Sequence, residues 1–181
     1  MSGSTVSLAG RLLVSHPSLR DGNFRETVVL LHSHSSSQGA MGVIINRPLP
    51  AVLAEASPPL QGTPLARLPM FQGGPVSADR FVLGSWSWPA CGEAELRYGL
   101  DRASAEALVD GGEHVLRAYV GYSGWSPGQL ENELRMNAWV ICPFTREVAA
   151  SEGEAMWRLL LRLHAPELLL QAGAPDDPGL N

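Results

Sequence analysis

Residues 119–134 read YVGYSGWSPGQLENEL, and this stretch sets the architecture of the second half of the chain. The β-branched and aromatic run Val115–Val120 before and into it reads as a strand. Gly121-Tyr122-Ser123-Gly124 then reads as a glycine turn, and Trp125 leads into a helix. Two helix-start signals coincide there. Ser126 and Gln129 have capping-box spacing, and Pro127 takes the first helical position. Leu130 and Leu134 then share one face, while Glu131 and Arg135 form an i,i+4 pair on another.

On the N-terminal side, Asp101 is a good helix N-cap for the alanine-rich stretch Ala103–Val109, which Gly111-Gly112 closes. Earlier, Val28–Leu31 and Met41–Ile45 form a hairpin pattern around the polar stretch Ser33–Gln38. Arg11–Val14 is a short strand or helix end, Ala51–Ala56 a short helix, and Ser57–Pro69 a surface loop. Phe81–Leu83 and the region of Leu96–Tyr98 read as strands. On the C-terminal side, Trp139–Cys142 is a strand. A last helix starts at Ser151, with Met156, Leu159, Leu160 and Leu163 on its apolar side. Arg158, Arg162 and His164 lie towards its C-terminal end, where cations oppose the helix dipole.

Strands dominate the first half, and strands and helices mix in the second, without βαβ alternation or repeats. The fold class expected is α+β: a single domain over residues 1–170 with a mixed, mostly antiparallel β-sheet flanked by a few α-helices. Met1–Thr5 and the tail 171–181 are small, polar segments expected to be flexible.

The 181 residues suit one domain, and a 45% hydrophobic content suits a globular one. Net charge is −5, and all 13 basic residues are arginine. An acidic chain without a basic run lacks the footprint of a nucleic-acid binder. No apolar run reaches the ~20 residues that cross a bilayer, and the first ten residues do not resemble a secretory signal. The cytoplasm is the expected location. Cys91 and Cys142 lack metal-ligand spacing and read as free thiols.

Four segments in order carry a resemblance: Leu12–Phe24, LLVSHPSLRDGNF; Gly39–Pro48, GAMGVIINRP; Phe71–Val76, FQGGPV; and Tyr119–Leu134, followed by NAWVICP. Together they resemble the YqgE/AlgH family of bacterial proteins, from about Leu8 to about His164. His16, His32 and the tail depart from the usual pattern. The resemblance implies a small, cytoplasmic, single-domain α+β protein without an established activity. Part of the family name comes from a proposed role in transcriptional regulation.

Among the motifs, Gly73-Gly74-Pro75 reads as a tight turn, or as a nest of backbone N–H groups that holds an anion. At Gly121–Gln129, the N–H groups of Gly128 and Gln129 and the ring of Trp125 form the best ligand site in the sequence. Internal capping by Ser126 and Gln129 competes for the same donors. Ser123 sits between glycines but not in a G-x-S-x-G elbow. His32 and His34, two apart, would share a face on a strand and could meet one metal, yet they lack a third ligand and read as solvated loop histidines. Trp86 and Trp88 read as an exposed patch for a partner or as edge packing. No catalytic residue, metal or cofactor is assigned. The expected function is that of a non-enzymatic regulatory or binding protein acting through a small ligand or a protein partner. The alternative is an enzyme or anionic-ligand binder that uses Gly73, Gly74, Ser123, Trp125, Gly128 and Gln129, the two glycine turns converging on one pocket.

Overall fold

The structure is a computed structural model and describes residues 6–90 and 93–172. The expectations for Met1–Thr5, for Cys91 and for the tail beyond Ala172 lie outside those residues.

In chain order the elements are β1 (Arg11–Ser15), β2 (Val28–Ser35), β3 (Gly39–Ile44), β4 (Pro48–Val52), α1 (Leu53–Ala56), β5 (Pro69–Gln72), β6 (Val76–Ser87) and β7 (Glu95–Tyr98). Then follow α2 (Arg102–Gly111), β8 (Val115–Trp125), α3 (Gln129–Arg135), β9 (Trp139–Pro143), α4 (Arg146–Ala149), α5 (Gly153–His164) and α6 (Leu169–Ala172). The strands form one nine-stranded sheet in the order β4-β5-β8-β3-β2-β1-β9, with β6 paired to β8 and β7 to β6. The β5–β8 pair is parallel and the others are antiparallel. The mixed, mostly antiparallel α+β reading is therefore correct.

Leu12–Val14 of β1 and Val28–Leu31 of β2 are apolar without interruption because both faces of the sheet are covered there. Leu12, Val14, Val28 and Leu30 pack beneath α5 with Met156, Trp157, Leu160 and Leu161. Leu13, Val29 and Leu31 face the other way, onto Trp125, Leu130 and Trp139. A third cluster joins Leu53 of α1 and Ala105 of α2 to Leu83, Leu116 and Ala118.

The glycine-rich segment that anchors the sequence reading folds differently from expectation. Tyr119–Trp125 is not a turn, since β8 runs unbroken from Val115 to Trp125. Gly121 and Gly124 sit inside the strand. α3 starts two residues later than the capping box implies, with Gly128 as its N-cap at φ 76°. Only half of the box forms: the Gln129 side chain accepts from the Ser126 N–H at 3.0 Å. Glu131 turns to His34 at 3.1 Å instead of to Arg135. The last helix begins at Gly153 instead of Ser151, after the separate turn of α4. Its buried side is Met156, Trp157, Leu160 and Leu161, and Leu163 is half exposed.

Candidate functional site

β8 is where the sheet changes partners. Its first half pairs with β5 on one side (Met70↔Ala118 to Gln72↔Val120) and with β6 on the other (Phe81↔Val120 to Trp86↔Val115). Beyond Gly121 it pairs with β3, Gly42 facing Ser123 and Ala40 facing Trp125. The handover needs backbones in near contact. A Cβ on Gly73 would lie 2.3 Å from the Gly121 carbonyl oxygen, and one on Gly121 would lie 2.4 Å from that of Gly74. No side chain fits there, so glycine is required on both strands.

The same crossing opens a cleft. β6 rejoins β8 at Val76↔Tyr122, so residues 77–80 of β6 lie opposite Gly121 alone. This wide bulge is accommodated by left-handed backbone at Ser77, φ 52°, and at Gly121, φ 67°. The resulting cleft is about 290 Å³ in volume and is lined by Met41, Phe81, Val82, Tyr98 and Tyr122, with Ser77, Arg80 and the Gly121 backbone. Apolar surface dominates, and no Asp or Glu lines it. Non-glycine residues in left-handed conformation are uncommon and collect at functional sites, and Ser77 is one of them.

Tyr98 is the link between the cleft and the core. Its ring lies against the His32 imidazole at 4.4 Å between centroids, tilted by 30°. His32 is the extra residue of a bulge in β2, where Leu31 faces Gly42 and Ser33 faces Met41. Both histidines lie within β2 instead of in a solvated loop, and the extra residue puts them on opposite faces of the sheet, which corrects both the loop reading and the shared face. His34 points towards α3. Its Nδ1 accepts the Leu8 N–H at 3.1 Å, and its Nε2 lies 3.1 Å from Glu131. Among the described residues, no three His, Cys, Asp or Glu side chains gather as a metal site.

Burial moves the titratable groups of this region away from neutrality. His32 is pulled down to about 4 by desolvation. Tyr98 is pushed up to about 12 by burial, with Tyr122 adding to the effect. Tyr119 is raised by burial, which Arg117 opposes, and the buried Cys142 thiol is pushed up to about 12. All four are neutral at pH 7. Arg117 is the charged exception, and it is fully engaged. Its guanidinium lies 4.0 Å from the Phe71 ring centroid and 4.7 Å from that of Trp86, donating to the Ile45 carbonyl (3.0 Å) and to Glu152 (3.2 Å).

The structure brings Gly73, Gly74 and Ser123 together with Gly121. Their polar groups face one another: the Gly73 N–H donates to Val120 O at 2.8 Å, its carbonyl accepts from Ile44 N at 2.8 Å, and the buried Ser123 hydroxyl donates to that same carbonyl at 3.2 Å. Trp125 lies at the far end of β8. It is buried against Phe24 and Trp139, and its indole N–H donates to Glu133 at 2.8 Å. Trp139 donates to the same carboxylate oxygen, also at 2.8 Å. Gln129 N–H is bonded to Ser126 O at 3.0 Å, and Gly128 is exposed. Asp101 caps α2 through Ser104 N–H at 2.8 Å, and the exposed Asp79 faces Arg80. Trp86 is buried, and Trp88 packs on Phe144.

Sequence reasoning missed the cleft residues. The available signal was the polar interruption Ser77–Arg80 between Val76 and Phe81, which marks a strand that leaves its partner and returns. A larger cleft of about 620 Å³ lies beside Trp88, Phe144 and Arg146. Arg146 donates to the Trp88 carbonyl at 3.0 Å, and the acidic Glu93 stands in the cleft's lining, 3.7 Å from Arg11.

A family model described as AlgH-like matches residues 12–168. The chain is 41% identical to a UPF0301 protein of Streptomyces coelicolor over the full length of both. It is 35% identical to a UPF0301 protein of Chlorobium phaeobacteroides, covering 96% of this chain and 95% of the other. The solution structure of the AlgH protein from Pseudomonas aeruginosa matches with a TM-score of 0.66 and 30% identity, over 98% of this chain and 100% of that one. A crystal structure of a protein from Corynebacterium diphtheriae shares the fold, with a TM-score of 0.72 at 21% identity over 96% and 95% of the two chains.

Proposed function

The chain belongs to the AlgH-like family, and from that premise we propose that it is a non-enzymatic binding protein whose small ligand occupies the cleft between β6, β7 and β8. The observation that carries this reading is the cleft itself: an apolar hollow built by a bulged strand and a left-handed serine, with Tyr98 and Tyr122 in its lining. Binding sites combine apolar lining with a few polar groups in this way.

The chemistry around the cleft supports binding over turnover. A general acid or base works best with a pKa near the operating pH. Burial pulls His32 down to about 4 and pushes Tyr98 and Cys142 up to about 12, all far from neutral pH. The Ser123 hydroxyl is buried and bonded to a carbonyl. A regulatory role in this reading runs through the bound ligand or a protein partner, not through direct DNA contact. The net charge of −5 and the lack of a basic run in the sequence favour this over a DNA-binding face.

A fragment screen followed by amide shifts in ¹⁵N-labelled protein tests the proposal. The expected result is a set of hits that shift Val82, Tyr98, Gly121 and Tyr122 together and lose their effect in Val82→Trp. Hits that cluster elsewhere, or a turnover abolished by a single side-chain substitution, would overturn it.

A further inference from the structure

This inference rests on the cleft being the ligand site and concerns what the cleft selects. The four polar side chains in its lining are Ser77, Arg80, Tyr98 and Tyr122. Each can donate a hydrogen bond, and none carries negative charge. Neither tyrosine hydroxyl has a hydrogen-bond partner among the described residues. Tyrosine hydroxyls are protonated at physiological pH, and burial, which pushes Tyr98 up to about 12, only reinforces this, so its hydroxyl can serve as a donor. Arg80 is highly exposed, and the one charge near it is its neighbour Asp79 at 3.9 Å, itself highly exposed. Such a long contact between solvated groups adds little and yields to a better partner. The rest of the lining is Met41, Phe81, Val82 and the Gly121 backbone.

We propose that the cleft takes a small organic acid, with an apolar or aromatic body against Met41, Phe81 and Val82 and a carboxylate facing Arg80 and the two tyrosine hydroxyls. One guanidinium balances one negative charge, which favours a monoanionic carboxylate over a phosphate. Charge-assisted hydrogen bonds from arginine and phenol are about twice as strong as neutral ones and prefer oxygen anions. The cleft's volume of about 290 Å³ is at the small end for ligand sites, which limits the body to roughly one ring or a short chain.

Three probes with the same body separate this claim from the reading beneath it: 3-phenylpropanoate, 3-phenylpropanamide and 3-phenylpropylamine. Each is titrated by calorimetry into the full chain and into Arg80→Gln. That side chain is exposed enough for the substitution to spare the fold. The expected result is that the acid binds about tenfold more tightly than the amide, the amine binds weakest, and Arg80→Gln weakens the acid several-fold more than it weakens the amide, so that most of the acid preference is lost. Equal binding of all three probes would overturn the choice of an acid and leave the cleft as the site, and an acid preference undiminished by Arg80→Gln would overturn Arg80 as the partner of the carboxylate. Absence of binding by all three would overturn both.

Discussion

Replacing Gly121 by alanine tests the idea that the strand crossing at β8 depends on backbone contact. Two costs add there. At φ 67° an L side chain costs about 1–2 kcal/mol of left-handed strain. The added Cβ would also meet the Gly74 carbonyl oxygen at 2.4 Å and that of Val76 at 2.8 Å. Both are backbone atoms of the paired strand and have no rotamer to escape into, so overpacking contributes another ~1–3 kcal/mol. The sum is about 2–5 kcal/mol, which at ~2–4 °C per kcal/mol for a chain of this size lowers the melting temperature by roughly 4–20 °C. Gly128 supplies the control. Its φ is 76°, but nothing lies within 4 Å of its Cβ position. Gly128→Ala therefore carries the strain and an N-cap penalty of a few tenths of a kcal/mol without the clash, about 1.5–2.5 kcal/mol in all. Urea denaturation of the two variants, with m-values checked for equality, isolates the contact term. Equal destabilisation of the two would refute the reasoning, because Gly121 would then owe its place to conformation alone.

Three other perturbations follow from the same contacts. Asn46 accepts the Val28 N–H at 2.8 Å and donates to the Glu26 and Gly153 carbonyls at 2.9 and 3.0 Å, so Asn46→Ala is expected to cost about 2–4 kcal/mol in urea denaturation. The Glu133 carboxylate receives both Trp125 and Trp139 at 2.8 Å; Glu133→Ala leaves two indole donors unpaired and should cost about 2–4 kcal/mol, whereas Glu133→Gln keeps an acceptor oxygen and should lose less than half of that. His32 has a folded pKa of about 4 against 6.5 for the free side chain, so between those values the unfolded chain binds a proton that the folded one does not. Stability is then complete above pH 6.5 and falls on acidification by roughly 3 kcal/mol, and His32→Phe should remove that part of the pH slope.

Legibility in the sequence followed how local the cause was. The hairpin of β2 and β3 was visible because its apolar runs are continuous, and α2 because Asp101 and Gly112 cap it within the segment itself. The run Tyr119–Trp125 misled because glycines usually signal turns. Here Gly121 answers to Gly74 and Val76 on other strands, a demand invisible in the local pattern. The capping box competed with Gly128, whose left-handed backbone starts the helix later. Glu131 had a plausible partner four residues on, but His34, 97 residues away in sequence, took it. Irregularities in strand register had the largest consequences. The bulge at His32 separated two histidines that strict alternation would have paired, and the bulge at residues 77–80 made the cleft. Bulges are set by register between distant strands, so the cleft residues could not be assembled from spacing.

Native mass spectrometry of the protein purified from cells, wild type beside Val82→Trp, tests the central claim most directly. The account predicts a retained small molecule on the wild type that is missing from the variant, with both proteins equally folded by circular dichroism. The same adduct retained at equal occupancy on Val82→Trp would contradict it.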